Sequence, residues 1–417
     1  MSCSAYRLCE VRTPAEEKEF LNLPRRLYRN DPNWVCPLDA SIRAVFDPAQ
    51  NPLFREGEAV RWVVRDAAGT VVGRIAAFYN REQAAIEEQP TGGCGFFESV
   101  DSQEVADLLF DAARMWLAER GMEAMDGPIN FGPRDAWWGL LVEGFEFQPL
   151  YENPYNPPYY QALFEHYGFQ NYFNQNTYLW NIETDDITPS AYERARRVLS
   201  TPGYEFRHIE LNGLEQAAED FRTIYNKAWS LFPGVKPMEA EQARKLMQTM
   251  RPIIDPNLVW FTYFNGEPVG FFVMLPDLNR LIGKFNGRLG LWNKLRMMWE
   301  LKFLRRCDRI FALIFGIAPE YQSRGIESAN MQVMLERFLR TPACRYKSIE
   351  FAWIGDFNPA MNRMVGSYIC ARKHKMHTTY RYLFDRTKEF HRCPRLTPGR
   401  RREGAAEPAR PEPLKNE

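Results

Sequence analysis

The sequence lacks the features of a membrane-spanning or secreted chain. No apolar run approaches the ~18 residues needed to cross a bilayer, and residues 1–20 contain no apolar segment of signal-peptide length. The eight cysteines are scattered and make no Cys-x-x-Cys pair, which favours free thiols in a reducing compartment. We therefore expect a cytoplasmic protein.

The chain also lacks a net charge, because 53 basic residues balance 53 acidic ones. Such a chain has no overall field that attracts nucleic acid, so no nucleic-acid partner is expected. His374 and His377 are close in sequence, and His391 lies near Cys393, but neither group has matching ligands beside it. We expect no metal site.

Three motifs of nucleotide and hydrolase chemistry are missing as well. The sequence contains no Walker A loop, no Gly-x-Gly-x-x-Gly and no Gly-x-Ser-x-Gly. An NTPase, a dinucleotide-binding enzyme and a serine hydrolase would therefore each lack their primary residues.

What the sequence does contain is an internal repeat. Residues 60–79 and 258–275 each predict a β-hairpin that includes Gly-x-x-Val-Gly. Later in each half an Asn-Pro pair, at 156 and at 358, precedes a Thr-Tyr pair by the same distance. A chain of 417 residues is also too long for one ordinary core, so we infer a duplicated α/β unit. The predicted boundaries are 1–183 for the first domain, 184–390 for the second and 391–417 for a disordered tail.

Two aromatic segments interrupt the repeat. The first half has a Gly/Pro-rich loop at 131–160, and loops of such length are typical of functional sites. The second half has an extra stretch in which 288–306 predicts a basic amphipathic helix, typical of peripheral contact with an anionic membrane. The alternative is an ordinary helix packed on the domain with a solvated basic face. In either case the predicted apolar face of the helix at 288–306 consists of Leu291, Trp292, Leu295, Met298, Trp299 and Phe303.

The segment GIAPEYQSRGIESANMQ, residues 316–332, joins a β-rich run to a helix through a turn. A helix N-terminus presents unpaired N–H groups and roughly half a positive charge, so it attracts anions. Gly325 allows the backbone to approach a ligand closely. Glu327 is the awkward residue, because a phosphate site favours nothing bulky or negative there. By itself the motif leaves a plain strand-to-helix connection equally open.

The turn Pro319-Glu-Tyr-Gln-Ser-Arg-Gly-Ile326 resembles motif A of the GCN5-related N-acetyltransferase (GNAT) superfamily, which wraps the pyrophosphate of coenzyme A. To about residue 388 the chain also resembles a group of tandem-domain bacterial acyltransferases near the bacterial ceramide synthases. The segments that carry this likeness are LYRNDPNWVCPL, NPLF, VGRIAAFYN, GFFESVD, GPINF and YNPPYY. The resemblance implies an α/β (α+β) fold with two tandem GNAT-like domains, each a mixed, mostly antiparallel sheet with flanking helices.

By the same resemblance, coenzyme A binds in the second half only, since GFFESVDSQEV in the first half has no glycine after the strand. The turn would hold the pyrophosphate, while the end of the preceding strand and an asparagine near a short helix would hold the pantetheine arm. The residues assigned in this way are Ile317, Ala318, Gln322, Ser323, Arg324, Gly325, Ile326 and Asn358.

The chain departs from the family pattern at the leaving group. The tyrosine that often protonates the thiolate is replaced by Phe164 in the first half and Val365 in the second. A base is still needed, because an alkylamine has a pKa near ~10. The candidate bases are Asp356, Glu98 and Glu320.

The long loop supplies the candidate acceptor site. Its aromatic side chains suit an apolar chain, although packing between the domains would use them equally well. The residues assigned to the acceptor are Asn130 and Asn156, for a polar head group, and Tyr155 and Tyr159. We expect an acyl-CoA-dependent N-acyltransferase for a long-chain, sphingoid-type amine, cytoplasmic or peripheral to the inner membrane. The alternatives are acetylation of a small amine or a protein, and a non-catalytic sensor that binds acyl-CoA.

Overall fold

A computed structural model describes residues 5–229 and 237–396 of the chain. Most of the predicted tail, from residue 397, lies outside these residues. The strands are β1 (Tyr6–Glu10), β2 (Gly57–Asp66), β3 (Val71–Asn80), β4 (Thr91–Ser99), β5 (Ala124–Gly127), β6 (Leu140–Glu143), β7 (Gln170–Asn181), β8 (Tyr204–His208), β9 (Val259–Phe264), β10 (Glu267–Pro276), β11 (Arg309–Ile317), β12 (Ser348–Gly355) and β13 (Arg372–Leu383). The α-helices are α1 (Pro14–Leu27), α2 (Asp39–Val45), α3 (Arg81–Ile86), α4 (Gln103–Ala118), α5 (Tyr160–Tyr167), α6 (Pro189–Leu199), α7 (Leu214–Trp229), α8 (Ala240–Met250), α9 (Asn279–Ile282), α10 (Leu291–Lys302), α11 (Ile326–Met334) and α12 (Pro359–Arg363).

The strands form one mixed sheet in the order β1-β2-β3-β4-β5-β13-β7-β12-β11-β10-β9-β8, with β6 beside β13. The pairs β4–β5 and β11–β12 are parallel, and the hairpin, meander and closing pairs are antiparallel. Helices flank the sheet in both halves. The predicted fold class, a mixed and mostly antiparallel sheet with flanking helices, is confirmed.

The two halves exchange their closing strands. β7 ends the first half but pairs with β12 and β13 of the second half, where Tyr178 lies opposite Phe351 and Lys373. β13 ends the second half but pairs with β5 of the first, where Tyr380 lies opposite Gly127. The repeat predicts a sheet for each half; the exchange makes the two sheets continuous, because β7 and β13 lie side by side in the middle.

Helices cover the sheet of each half with a separate apolar core. α4 and α5 bury Leu109, Phe110 and Phe164 against the first half. In the second half, α6 and α11 bury residues such as Ala195 and Met331, and α7 and α8 pack in a further cluster against β9 and β10. α7 and α8 precede the hairpin of the second half in the chain. α6 was not predicted; the Thr188 side chain caps it and proline occupies its first turn.

The predicted helix within 288–306 is confirmed as α10. It packs through Met297 and Leu301 against α9 and residues 35–38, and its aromatic face points outward, with Trp292 82% exposed and Phe303 68% exposed. α10 therefore packs on the domain through one side, whereas most of the side chains assigned to its apolar face remain exposed. Within residues 5–229 and 237–396, no helix combines the length and apolarity needed to cross a bilayer.

Candidate active site

A wedge opens in the sheet of the second half, between β11 and β12. The two strands pair only from Arg309 opposite Ser348 to Ala312 opposite Phe351. Each strand has a register shift just beyond this point, after Ala312 in the β10–β11 ladder and after Phe351 in the β12–β7 ladder. Bulges bend a strand and end its pairing, so the parts of β11 and β12 that follow Ala312 and Phe351 diverge.

A cavity of about 160 Å³ lies in this wedge, between the two strands and α11 and α12. Fourteen of its fifteen lining residues are apolar, and the fifteenth is Glu327. The apolar residues are Phe272, Ala312, Leu313, Ile314, Phe315, Met331, Phe351, Ala352, Trp353, Ile354, Met361, Met364, Val365 and Ile369. Such a lining suits the apolar part of a ligand whose charged part lies near the start of α11.

The predicted turn stands at the start of α11, at one end of this cavity. Gln322, Ser323 and Arg324 are exposed to solvent, and Gly325 has a φ of 95°, which only glycine adopts readily. The first helical N–H bond is that of Ala329, which donates to the Gly325 carbonyl at 3.0 Å. The N–H groups before it have no carbonyl partner within the helix, so the residues present offer donors that fit a diphosphate.

The two strand residues predicted for the pantetheine arm have different roles. The Ala318 N–H donates to the Val269 carbonyl at 2.9 Å. Successive residues of a strand direct their backbone polar groups to opposite edges, so the backbone N–H and carbonyl of Ile317 point toward the wedge. The Ile317 carbonyl accepts there from the Gln322 side chain at 3.0 Å. Asn358 caps α12 by accepting from the Met361 N–H at 3.2 Å.

In the first half, the strand edge that corresponds to the one at Ile317 is hydrogen-bonded by side chains of the protein itself. Gly73 pairs with Ser99 as Gly270 pairs with Ile317, so Ser99 matches Ile317. The Ser99 N–H donates to the Tyr160 hydroxyl at 2.9 Å, and the Tyr159 hydroxyl donates to the Ser99 carbonyl at 2.7 Å. This blocked strand edge supports the expectation that coenzyme A binds in the second half only.

None of the three predicted bases is among the residues that line the wedge cavity. Asp356 accepts from Arg392 at 2.7 Å, and Glu320 is half exposed, 3.5 Å from the Lys227 ammonium. Glu98 is buried in the first half, where it accepts from the hydroxyls of Tyr28 and Tyr160 at 2.6 and 2.9 Å. Burial raises the pKa of Glu98 in spite of the nearby Arg74 guanidinium. The structure thus does not bring these three carboxylates together.

The predicted acceptor residues are engaged within the loop and its surroundings. Both side-chain ends of Asn156 bond to the backbone of Leu141, at 2.7 and 3.0 Å. The Tyr155 hydroxyl donates to Asp31 at 2.9 Å, and the Tyr159 hydroxyl is taken up by the Ser99 carbonyl. Asn130 is buried, and its Oδ1 has no hydrogen-bond partner among the residues that the structure describes.

Sequence reasoning missed two carboxylates of the long loop whose pKa values are raised, Asp135 and Glu152. Trp353 lines the cavity, and its indole N–H donates to the Arg134 carbonyl at 3.0 Å. The next residue, Asp135, is accessible to solvent, yet the surrounding protein raises the pKa of its carboxyl through burial. Burial, reinforced by the charge of Asp135, also raises the pKa of Glu152. The aromatic residues had marked the loop, but nothing in the sequence distinguished these two among its acidic residues.

Among the residues that the structure describes, no three histidine, cysteine, aspartate or glutamate side chains are grouped so that they could hold a metal ion.

Comparison with solved structures gives a TM-score of 0.53 to the GCN5-related glucosamine N-acetyltransferase region of a fungal multi-domain β-N-acetylglucosaminidase, at 12% identity over 92% of this chain and 38% of that one. A tandem GNAT protein from the clavulanic acid biosynthesis pathway gives 0.52, at 11% identity over 91% and 98%.

Sequence comparison finds two relatives that match over most of their length. A bacterial ceramide synthase from Caulobacter vibrioides is 30% identical over 361 residues, which are 85% of this chain and 91% of that protein. Protein YghO from Escherichia coli K12 is 27% identical over 366 residues, 87% of this chain and 92% of that protein. No family model matches the chain.

The fold is that of a tandem GCN5-related N-acetyltransferase, and the protein is an acyltransferase. More narrowly, the chain belongs to the family of the bacterial ceramide synthase.

Proposed function

We propose that the protein transfers an acyl group from coenzyme A to the amino group of a long-chain, sphingoid-type base, as in ceramide synthesis. The observation that carries the proposal is the apolar cavity beside the Gly325 turn. The relative that is named a ceramide synthase supports this acceptor.

Acyl-CoA, when bound, supplies an activated thioester. In this proposal the turn from Gln322 to Ile326 binds the pyrophosphate, Ile317 and Asn358 lie along the pantetheine arm, and the cavity receives the start of the acyl chain. A cavity of about 150 Å³ holds a molecule the size of benzene, so a long chain needs the walls to move. Met331, Met361 and Met364 line the cavity, and flexible methionine side chains repack readily.

Mass spectrometry of a reaction with palmitoyl-CoA and sphinganine tests this function. We expect the N-palmitoyl amide and free coenzyme A in equal amounts, with acetyl-CoA a much poorer donor because it leaves the cavity unfilled. Preference for acetyl-CoA with polyamines or peptides would contradict the acceptor and favour acetylation of a small amine or protein. Tight binding of palmitoyl-CoA with no transfer to any amine would favour a sensor.

We further infer that α10 binds an anionic membrane surface, so that the cytoplasmic protein meets its lipid acceptor at the inner membrane. The exposed side chains Trp292, Trp299 and Phe303 form one apolar face. The acidic residue of this helix, Glu300, is buried and paired with Lys284 and Arg296, so the charge presented outward is positive. The exposed cations on and after the helix are Lys294, Arg296, Lys302, Arg305 and Arg306, of which Arg296 and Arg306 pair with Glu300. Apolar burial combined with this charge is the physical basis of interfacial binding.

The double variant Trp292→Glu/Trp299→Glu should lose binding to vesicles that contain phosphatidylglycerol. Each large apolar side chain contributes ~1.5–3 kcal/mol when buried, so we expect at least a tenfold fall in the sedimented fraction relative to free protein. Ile86→Glu is the matched control, because Ile86 is also exposed, at 69%, but lies on α3. Equal sedimentation of wild type and double variant would exclude α10 as the contact surface.

A further inference from the structure

An ion pair joins α6 to the first turn of α11. Arg194 Nη2 donates to Glu327 Oε1 at 2.5 Å, and the two side chains are only 21% and 10% exposed. The guanidinium of Arg194 also lies over the ring of Tyr368, 4.6 Å from its centroid. Arg194 is therefore held from two sides in a partly buried position.

The carboxylate of this pair occupies a place that favours anions. Glu327 follows Gly325 and Ile326 at the start of α11, where the helix dipole stabilises negative charge. It is also the one charged residue among those that line the wedge cavity. Glu327 and Arg194 together thus resemble a bound anion and its counter-ion, both supplied by the protein.

The backbone of α6 fixes Arg194 beside the turn. A Cβ atom added to Gly325 would lie 3.1 Å from Arg194 Cβ and 3.3 Å from the Arg194 carbonyl oxygen. The turn proposed to bind the pyrophosphate therefore lies directly against the residue that carries the guanidinium. Arg324, the arginine within the turn itself, is exposed and lies over Tyr321.

We propose that Arg194 is a phosphate-binding residue of the coenzyme A site, and that Glu327 is an internal anion that competes with the phosphate for it. The inference rests on the proposed function, since it presumes that coenzyme A binds at this turn. An arginine fork matches the oxygens of a phosphate, and bonds between two charged groups are among the strongest hydrogen bonds. A diphosphate therefore displaces the single carboxylate, and Glu327 lowers the affinity that Arg194 would otherwise provide.

Opposite effects of the two partners on coenzyme A binding distinguish this role from a structural one. By isothermal titration calorimetry with coenzyme A, Arg194→Met should weaken binding at least tenfold, because a cation that pairs with phosphate is lost. Glu327→Gln should tighten binding severalfold, because the competitor is lost. The double variant Arg194→Met/Glu327→Gln should bind coenzyme A about as weakly as Arg194→Met alone, since Glu327 no longer has a cation for which it competes with the phosphate. Arg197→Met, exposed on the same helix, is the control and should match wild type.

A merely structural ion pair would give a different pattern. If both single variants weakened coenzyme A binding, or if neither changed it, the inference would be wrong even though wild type bound the ligand. If wild type bound no coenzyme A at millimolar concentration, the proposed function itself would fail. Thermal melting of each variant shows whether it is folded, and Glu327→Gln alone decides the question if Arg194→Met does not fold.

Discussion

Replacing Gly325 with tryptophan should abolish coenzyme A binding while the protein remains folded. Gly325 has a φ of 95°, and a Cβ atom added there would lie 3.1 Å from Arg194 Cβ. An indole there fills the turn, forces α6 away and covers the N–H groups at the start of α11. We expect the dissociation constant measured by calorimetry to rise at least 100-fold, equivalent to about 2.7 kcal/mol. Transfer from palmitoyl-CoA should fall in parallel.

The matched control is Gly266→Trp in the β9–β10 hairpin. Gly266 also has a positive φ, of 83°, but a Cβ atom there meets nothing within 4 Å. Both variants therefore carry a backbone strain of ~1–2 kcal/mol, and only Gly325→Trp should lose the ligand. Coenzyme A binding of wild-type strength by a folded Gly325→Trp variant would exclude this turn as the coenzyme site.

Removing the carboxylate of Glu350 should strongly destabilise the folded protein. Glu350 is fully buried on β12, forms ion pairs with Lys375 and Arg309, and lies 3.2 Å from Nδ1 of His374. Burial opposes its ionisation, yet the positive neighbours outweigh burial and hold the pKa of Glu350 well below its usual range. Loss of one member of such a group leaves buried charge without compensation, at about 3–5 kcal/mol. We expect Glu350→Gln to lower the free energy of unfolding in urea by that amount.

A second variant tests the cause. Glu350→Leu/Lys375→Met removes both charges, so most of the lost stability should return. Glu123→Gln breaks the exposed pair with Lys388 and should cost less than about 1 kcal/mol. The sign with pH follows from the lowered pKa: the contribution of Glu350 is present above the carboxyl's unfolded pKa and is lost as the pH falls toward its folded value. A Glu350→Gln variant as stable as wild type would show that the buried ion pairs do not stabilise the fold.

The local elements of the fold could be predicted from the sequence because their signals are local. The run at 258–275 with its Gly-x-x-Val-Gly predicted the β9–β10 hairpin, which the structure confirms. Partners of the closing strands could not be predicted in the same way. β7 and β13 are each twelve residues long and could pair on either side, and the choice between neighbours depends on contacts far apart in the sequence.

The candidate site was predictable only where a motif carries backbone geometry. The turn at Gly325 was predicted as the coenzyme site because it resembles motif A, and its positive φ is a conformation that glycine adopts readily; its role stays a prediction. Tyr159 and Asn156 look from the sequence like groups that bind a ligand, but they satisfy backbone groups of Ser99 and Leu141. A sequence does not show which buried backbone groups lack a partner. Arg194 was missed because its helix carries signals of a helix start but no motif of ligand binding.

The exchanged strand explains why a half without a coenzyme turn cannot be discarded. β7 belongs to the first half, yet its Tyr178 hydroxyl donates to Asn362 beside α12 at 2.7 Å. The Trp180 indole N–H donates to the Ile369 carbonyl at 2.9 Å, at the wall of the cavity. β7 of the first half thus supports the side of the wedge that β12 and α12 form. A chain that kept only the second half would contain every residue that lines the cavity but would lack the strand that pairs with β12, so we expect that wall of the cavity to lose its support.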